Sequence, residues 1–102
     1  MPMKLTRQKI WVHRNEAVES ITVEDQGKLK FYSHTYLVRA RGGAWRPCVR
    51  WDNWDRQPHV DKYDASGVLV EQKPCNDKSL EDVLKLVRIF RRNLLTMDLS
   101  QL

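Results

Sequence analysis

Trp45–Asp61 reads WRPCVRWDNWDRQPHVD, and its alternation sets how the rest of the chain is understood. Successive side chains of an extended strand point to opposite faces. Trp45, Pro47, Val49 and Trp51 therefore share one face, and Arg46, Cys48, Arg50 and Asp52 the other. A Pro-marked turn follows, and His59 and Asp61 then alternate around Val60. Two strands joined in this way bring Arg50, Asp52, His59 and Asp61 onto one patch.

The segments on either side also favour strands. Residues 1–7 form a loose basic arm, and Gln8–His13 alternates Ile10 and Val12 with Lys9, Trp11 and His13. Ala17–Val23 is rich in β-branched residues, and Glu24-Asp25-Gln26-Gly27 supplies a turn with a glycine at its end. Lys28–Ala40 is the longest β-like run. At about 13 residues it exceeds the usual strand length, which predicts a bend or bulge near Ser33-His34. Arg41-Gly42-Gly43 marks the next hairpin, and Asp64-Ala65-Ser66-Gly67 another before a short strand at Val68–Val70.

After Pro74 the period changes. Ser79 is an N-cap with Asp82 three residues on, and Leu80, Val83, Val87, Phe90 and Leu94 recur at helical spacing. The expected architecture is α+β: one domain over residues 1–102, with an antiparallel meander of five or six strands over 8–73. One C-terminal helix over 79–96 packs on a single face of it.

Composition narrows the class. The chain has 102 residues and a net charge of +5, enough length for one modest core without metal or disulfide support. Charge alternates along it: +4 over residues 1–14, −4 over 15–27, +6 over 28–50, −4 over 51–82 and +3 over 83–102. A basic excess favours a polyanion or an acidic protein partner. The apolar runs are too short for a membrane helix, and no charged-then-apolar leader precedes the first strand. Cys48 and Cys75 have no CxxC spacing, so they read as reduced thiols in the cytoplasm.

The Arg50, Asp52, His59 and Asp61 group is the sharpest candidate for chemistry. A histidine held by a carboxylate can act as acid or base near neutral pH. An arginine beside it can bind a phosphate and stabilise charge on a phosphorane-like transition state. Together they suit metal-independent RNA cleavage, in which a 2′-hydroxyl attacks its own phosphate. The structural alternative is a pair of cross-strand ion pairs, Arg50 with Asp61 or Asp52 with His59. Two Asp and one His also offer a divalent-metal set, although no fixed ligand spacing points to one and no cofactor is expected.

For nucleic-acid contact the candidates are Trp54, Arg46 and Arg56 near that patch and Lys85, Arg88 and Arg92 on the helix. Trp45 and Trp51 are expected in the core, while Trp54 sits in a turn-like segment. Tyr32, His34 and Tyr36 share a strand face that would extend a stacking platform or form a half-buried sheet face. Ile89 lies on the basic side of the helix, where a partner or second copy would cover it. Leu99 and Leu102 keep the tail apolar, which suggests docking, including across a homodimer.

These motifs resemble known patterns. Trp45, Pro47, Arg50, Asp52, His59 and Asp61 match a group of small prokaryotic proteins with a Trp-x-Pro-Val-x-Arg-aromatic-Asp strand followed by His-x-Asp; Cys48 stands where that pattern has an apolar residue. Arg50-Trp51-Asp52-Asn53 with His59 also resembles the TumE family, the presumed toxin halves of two-gene toxin–antitoxin modules. Trp54-Asp55-Arg56-Gln57 departs from that family's Pro- and His-rich loop. The resemblance implies a toxin component acting on RNA or another nucleic-acid target and neutralised by a partner protein. The alternatives are a non-catalytic module binding a protein or nucleic acid, and a structural subunit of a homo-oligomer.

Overall fold

The computed structural model describes residues 3–40, 42–54, 57–94 and 96–102. Six strands form one sheet, β1 (Met3–His13), β2 (Glu16–Asp25), β3 (Lys28–Arg39), β4 (Trp45–Asp52), β5 (His59–Tyr63) and β6 (Leu69–Pro74). A helix, α1 (Leu80–Phe90), and a short 3-10 turn (Leu99–Gln101) follow. Neighbours in the sheet are neighbours in sequence, and every pairing is antiparallel. This is the α+β meander that the hairpin signals require. The β2–β3 turn shows the local chemistry: Gln26 and Gly27 both take positive φ, 55° and 79°, the geometry whose twist matches a two-residue hairpin.

Several details differ from expectation, among them the sixth strand, which runs over Leu69–Pro74 instead of Val68–Val70. Met3–Arg7 is not a loose arm but the start of β1, paired from Met3↔Asp25 to Arg7↔Ile21. As an edge strand it has only one neighbour, so most of its side chains stay exposed and the sequence carries little burial signal there. The helix ends at Phe90 rather than residue 96. Beyond it Asn93 N–H donates to the Phe90 carbonyl at 2.7 Å, and the resulting turn carries Leu94 into the core. The third strand has no irregularity at Ser33-His34. The extra residues are Lys30, skipped between Leu29 and Phe31, and Cys48, skipped because Tyr36 pairs with Val49 and Leu37 with Pro47.

The skip at Cys48 inverts the faces of β4. Pairs directly opposite each other share a face, and alternate residues along β3 place Arg39 and His34 on different ones. Trp45, opposite Arg39, therefore lies on the other side from Trp51, opposite His34. Trp51 is fully buried under the helix with Val18, Tyr36, Cys48, Val49, Val60, Val83, Val87 and Leu94. Trp45 is only half-buried, packed edge-on against Trp11 at 5.1 Å, with the Arg39 guanidinium and Lys9 ammonium over its ring. Leu99 and Leu102 are buried in the same core as Val83, so the tail docks on its own chain. Among the described residues no helix is long and apolar enough to cross a membrane.

α1 begins as its sequence requires. Ser79 Oγ accepts from Asp82 N–H and Asp82 Oδ2 accepts from Ser79 N–H, each at 3.0 Å, closing a capping box. The other end is tied to the sheet: Arg91 donates two hydrogen bonds to the Glu16 carboxylate, which also accepts the Tyr36 hydroxyl. The Arg91 hydrogen bond holds Glu16 below the usual carboxylate range against the opposing effect of burial.

Candidate functional site

β4 and β5 pair Arg50 with Asp61 and Asp52 with His59. Alternation then puts all four side chains on one face, the one opposite Val49, Trp51, Val60 and the helix. The expected convergence is present, and the four residues line a cleft of about 470 Å³ with Trp54, Gln57 and Gln72.

His59 sits between the two acids. Its Nε2 lies 2.9 Å from Asp52 Oδ1 and 3.6 Å from Asp61 Oδ2. Its Nδ1 lies 2.9 Å from the Gln57 carbonyl oxygen. A carbonyl only accepts, so Nδ1 carries hydrogen and Nε2 is the atom that meets the carboxylates. A lone pair at Nε2 would face carboxylate lone pairs; the geometry therefore calls for a positive species between them, a proton or a metal ion. Asp52, His59 and Asp61 each offer one ligand atom, all within 4.8 Å of one another.

Both acids are nearly sealed, Asp52 6% and Asp61 5% exposed. Asp52 Oδ1 also accepts the Trp54 backbone N–H at 3.0 Å, and Asp61 Oδ1 accepts Gln72 Nε2 at 2.7 Å. Arg50 stays apart from them. Its Nε donates to Thr35 Oγ1 at 3.1 Å and its guanidinium lies 5.4 Å from the centre of the Tyr63 ring. Of the two cross-strand ion pairs the sequence offered, Asp52–His59 forms; Arg50–Asp61 is not among the ion pairs of the described residues. Burial raises the Tyr63 phenol above its ordinary value, with Arg50 opposing, so the ring beside the guanidinium stays neutral.

The remaining candidates disperse. Trp54 stands at the mouth of the cleft, 62% exposed and edge-on to Phe31 at 5.5 Å. Arg46 does not join Arg50, because the skip at Cys48 turns it to the helix side. There Arg46 and Arg92 line a second groove of about 390 Å³ with Glu16, Arg39 and Arg91. Lys85 borders a third hollow with Asp77, Lys78, Asp82 and Ile89, and Arg88 is exposed on the helix. Arg56 lies outside the described residues. The proposed nucleic-acid set is thus not one continuous surface.

Tyr32, His34 and Tyr36 are no open platform either. They are buried on the helix side, with Tyr32 bonded to Asp77 and Lys78, His34 to Ser20 and Tyr36 to Glu16. Three site residues escaped sequence reasoning: Thr35, Gln57 and Gln72, which position Arg50, His59 and Asp61. Thr35 and Gln72 come from flanking strands and are found only once register is known. The Gln57 contribution is a backbone carbonyl, to which side-chain identity gives no clue. In comparisons with known proteins, no family model matches the chain, and no curated protein or solved structure does so.

Proposed function

We propose that the protein is a toxin-like component that acts on RNA in the cytoplasm, with the Arg50–Asp52–His59–Asp61 cleft as its working site and a partner protein as its inhibitor. The observation that carries this reading is the guanidinium of Arg50, braced by Thr35 and Tyr63, in one cleft with an imidazole pinned between two carboxylates. Cleavage of an RNA phosphodiester by its 2′-hydroxyl needs a group to take the hydroxyl proton, one to supply a proton to the departing 5′-oxygen, and positive charge on the phosphate. Arg50 supplies that charge. The His59–carboxylate group supplies the proton handling, directly or through a water activated by what it binds. Trp54 at the mouth offers a face for an unpaired base.

The test is induced expression in a bacterial host, alongside incubation of purified protein with single-stranded RNA. Arrest of growth and RNA cleavage, both lost in a folded His59→Ala variant, are the expected results. Normal growth and intact RNA with the wild-type protein would sink the reading.

A second reading, a non-catalytic binding module, is favoured by the groove that Arg46, Arg91 and Arg92 line near the end of α1. In that case Arg46→Glu with Arg92→Glu abolishes association with a polyanion or acidic partner, and His59→Ala leaves it intact.

A further inference from the structure

We infer that Asp52, His59 and Asp61 bind a divalent cation of the Mn²⁺ type through His59 Nε2 and one oxygen of each carboxylate. For its role this inference deepens the reading of the cleft as a working site and rests on it; binding itself is read without reference to RNA.

Three independent features point to the ion. The first is spacing. Metal–ligand bonds of about 2.1 Å set donor atoms about 3.0 Å apart at right angles and about 3.4–3.6 Å apart at tetrahedral to trigonal angles. Nε2 lies 2.9 Å and 3.6 Å from its two carboxylate oxygens. All three ligand atoms lie within 4.8 Å of one another.

The second feature is the orientation of the ring. A metal-ligating histidine donates its other N–H to a carbonyl or carboxylate, which fixes the tautomer and aims the free nitrogen at the metal. The Gln57 carbonyl, outside the ligand set, does this for His59 at 2.9 Å. Gln72, donating to Asp61 Oδ1, leaves Oδ2 facing Nε2.

The third is charge. Buried carboxylates are paired with cations or coordinate metals. Asp52 and Asp61 are each more than nine-tenths buried, and the only side chain in ion-pair range of either, among the described residues, is the one imidazole they share. A divalent ion balances both acids; a single proton on Nε2 balances one. Mixed carboxylate–imidazole ligation suits Mn²⁺, Zn²⁺ or Fe²⁺ better than a thiolate-seeking metal, and the three ligands line the same cleft as Arg50.

The experiment is titration of chelator-treated full-length protein with MnCl₂, followed by calorimetry and by loss of the free Mn²⁺ resonance signal, with MgCl₂ and ZnCl₂ in parallel. The expected result is one ion per chain and a rise in melting temperature on binding. Asp61→Asn and His59→Gln should weaken binding about a hundredfold or more, since even partners outside the ligand set cost about 10–100-fold. Asp64→Asn, in the exposed turn beyond β5, should leave it unchanged. Failure of all three metals to bind the wild-type chain, or equal binding by a folded Asp61→Asn variant, overturns the inference, and the wild-type titration decides even if the variants misfold. Ion binding without RNA cleavage supports the site and sinks the RNA reading. Cleavage undiminished in excess chelator, with no ion bound, does the reverse.

Discussion

Arg46 and Arg50, four residues apart in β4, project from opposite faces of the sheet. In an uninterrupted strand they would share one, because the side-chain period is two. The skipped residue between them, Cys48, lets Arg50 reach the acid–imidazole cleft while Arg46 turns toward the end of α1. Cys48 is itself buried in the core, and burial raises its thiol above the ordinary value. Deleting Cys48 would make Pro47 and Val49 consecutive opposite Leu37 and Tyr36 and leave every other side chain of β4 on its present face, so the variant should still unfold cooperatively in urea. Cys48→Ala keeps the backbone count and should cost only about 1–2 kcal/mol, the scale of a small core truncation. A non-cooperative transition in the deletion variant would show that the extra residue itself, and not only the facing it sets, is needed for folding.

Tyr36, Glu16 and Arg91 tie the end of the helix to the second and third strands. Tyr36→Phe removes a hydroxyl that donates to a charged acceptor, and should cost about 1.5–3 kcal/mol. The contribution of the Glu16 carboxylate depends on pH. Its folded value is below the ordinary 4.5, so its stabilisation is present above about pH 4.5 and is lost as pH falls through the lower folded value. The stability difference between wild type and Arg91→Gln, measured in urea at pH 7, should therefore shrink below pH 4. A gap that stays constant down to pH 3 would deny the ion pair its role.

What could be read in advance followed the range of each signal. The start of α1 is local: Ser79, Asp82 and the Val83–Val87 spacing lie within one short segment, and the capping box forms as written. The four-residue patch was legible because β4 and β5 are adjacent and their alternation next to the turn is unbroken. The skip at Cys48 was marked only by Pro47 beside it, a residue that an interior strand tolerates at a bulge, and its exact place is set by pairing with β3. The same cause misplaced Trp45 and Arg46 and hid Thr35. The strand at Met3–Arg7 was hidden because an edge strand is stabilised by the backbone of its one neighbour, with little demand on its own side chains.

His34 offers a second handle on pH. Its ring is 2% exposed, stacks on Tyr32 at a centroid distance of 5.0 Å, and has Nδ1 2.9 Å from Ser20 Oγ. Burial lowers its protonation below the ordinary 6.5, so the folded state holds it neutral. The unfolded chain takes up this proton first as pH falls, so folding weakens from about pH 6.5 downward and the loss is complete below the folded value. Melting temperature should fall between pH 7 and pH 5 in the wild type, and less steeply in His34→Gln. Parallel profiles would assign the acid sensitivity to another group.

The cleft makes its own demand on Arg50. Thr35 Oγ1 accepts from Nε, the guanidinium carbon lies 5.4 Å from the centre of the Tyr63 ring, and Arg50 lines the cleft with its position held from two sides. A lysine there keeps the charge but loses both the Thr35 anchor and the two-pronged contact with phosphate. Binding of single-stranded RNA, followed by fluorescence anisotropy across a salt series, should weaken by about 1.5–3 kcal/mol in Arg50→Ala. The slope of log affinity against log salt should fall by about one in that variant and keep its wild-type value in Arg50→Lys, whose affinity still drops. Trp54→Ala should lose about 1–3 kcal/mol of affinity with the slope unchanged, because stacking involves no counterion release. Trp54 is largely exposed, so its removal should leave the melting temperature close to wild type. Equal affinity and slope in Arg50→Ala would remove the phosphate from this cleft and transfer the polyanion reading to the Arg46–Arg92 groove on the other face.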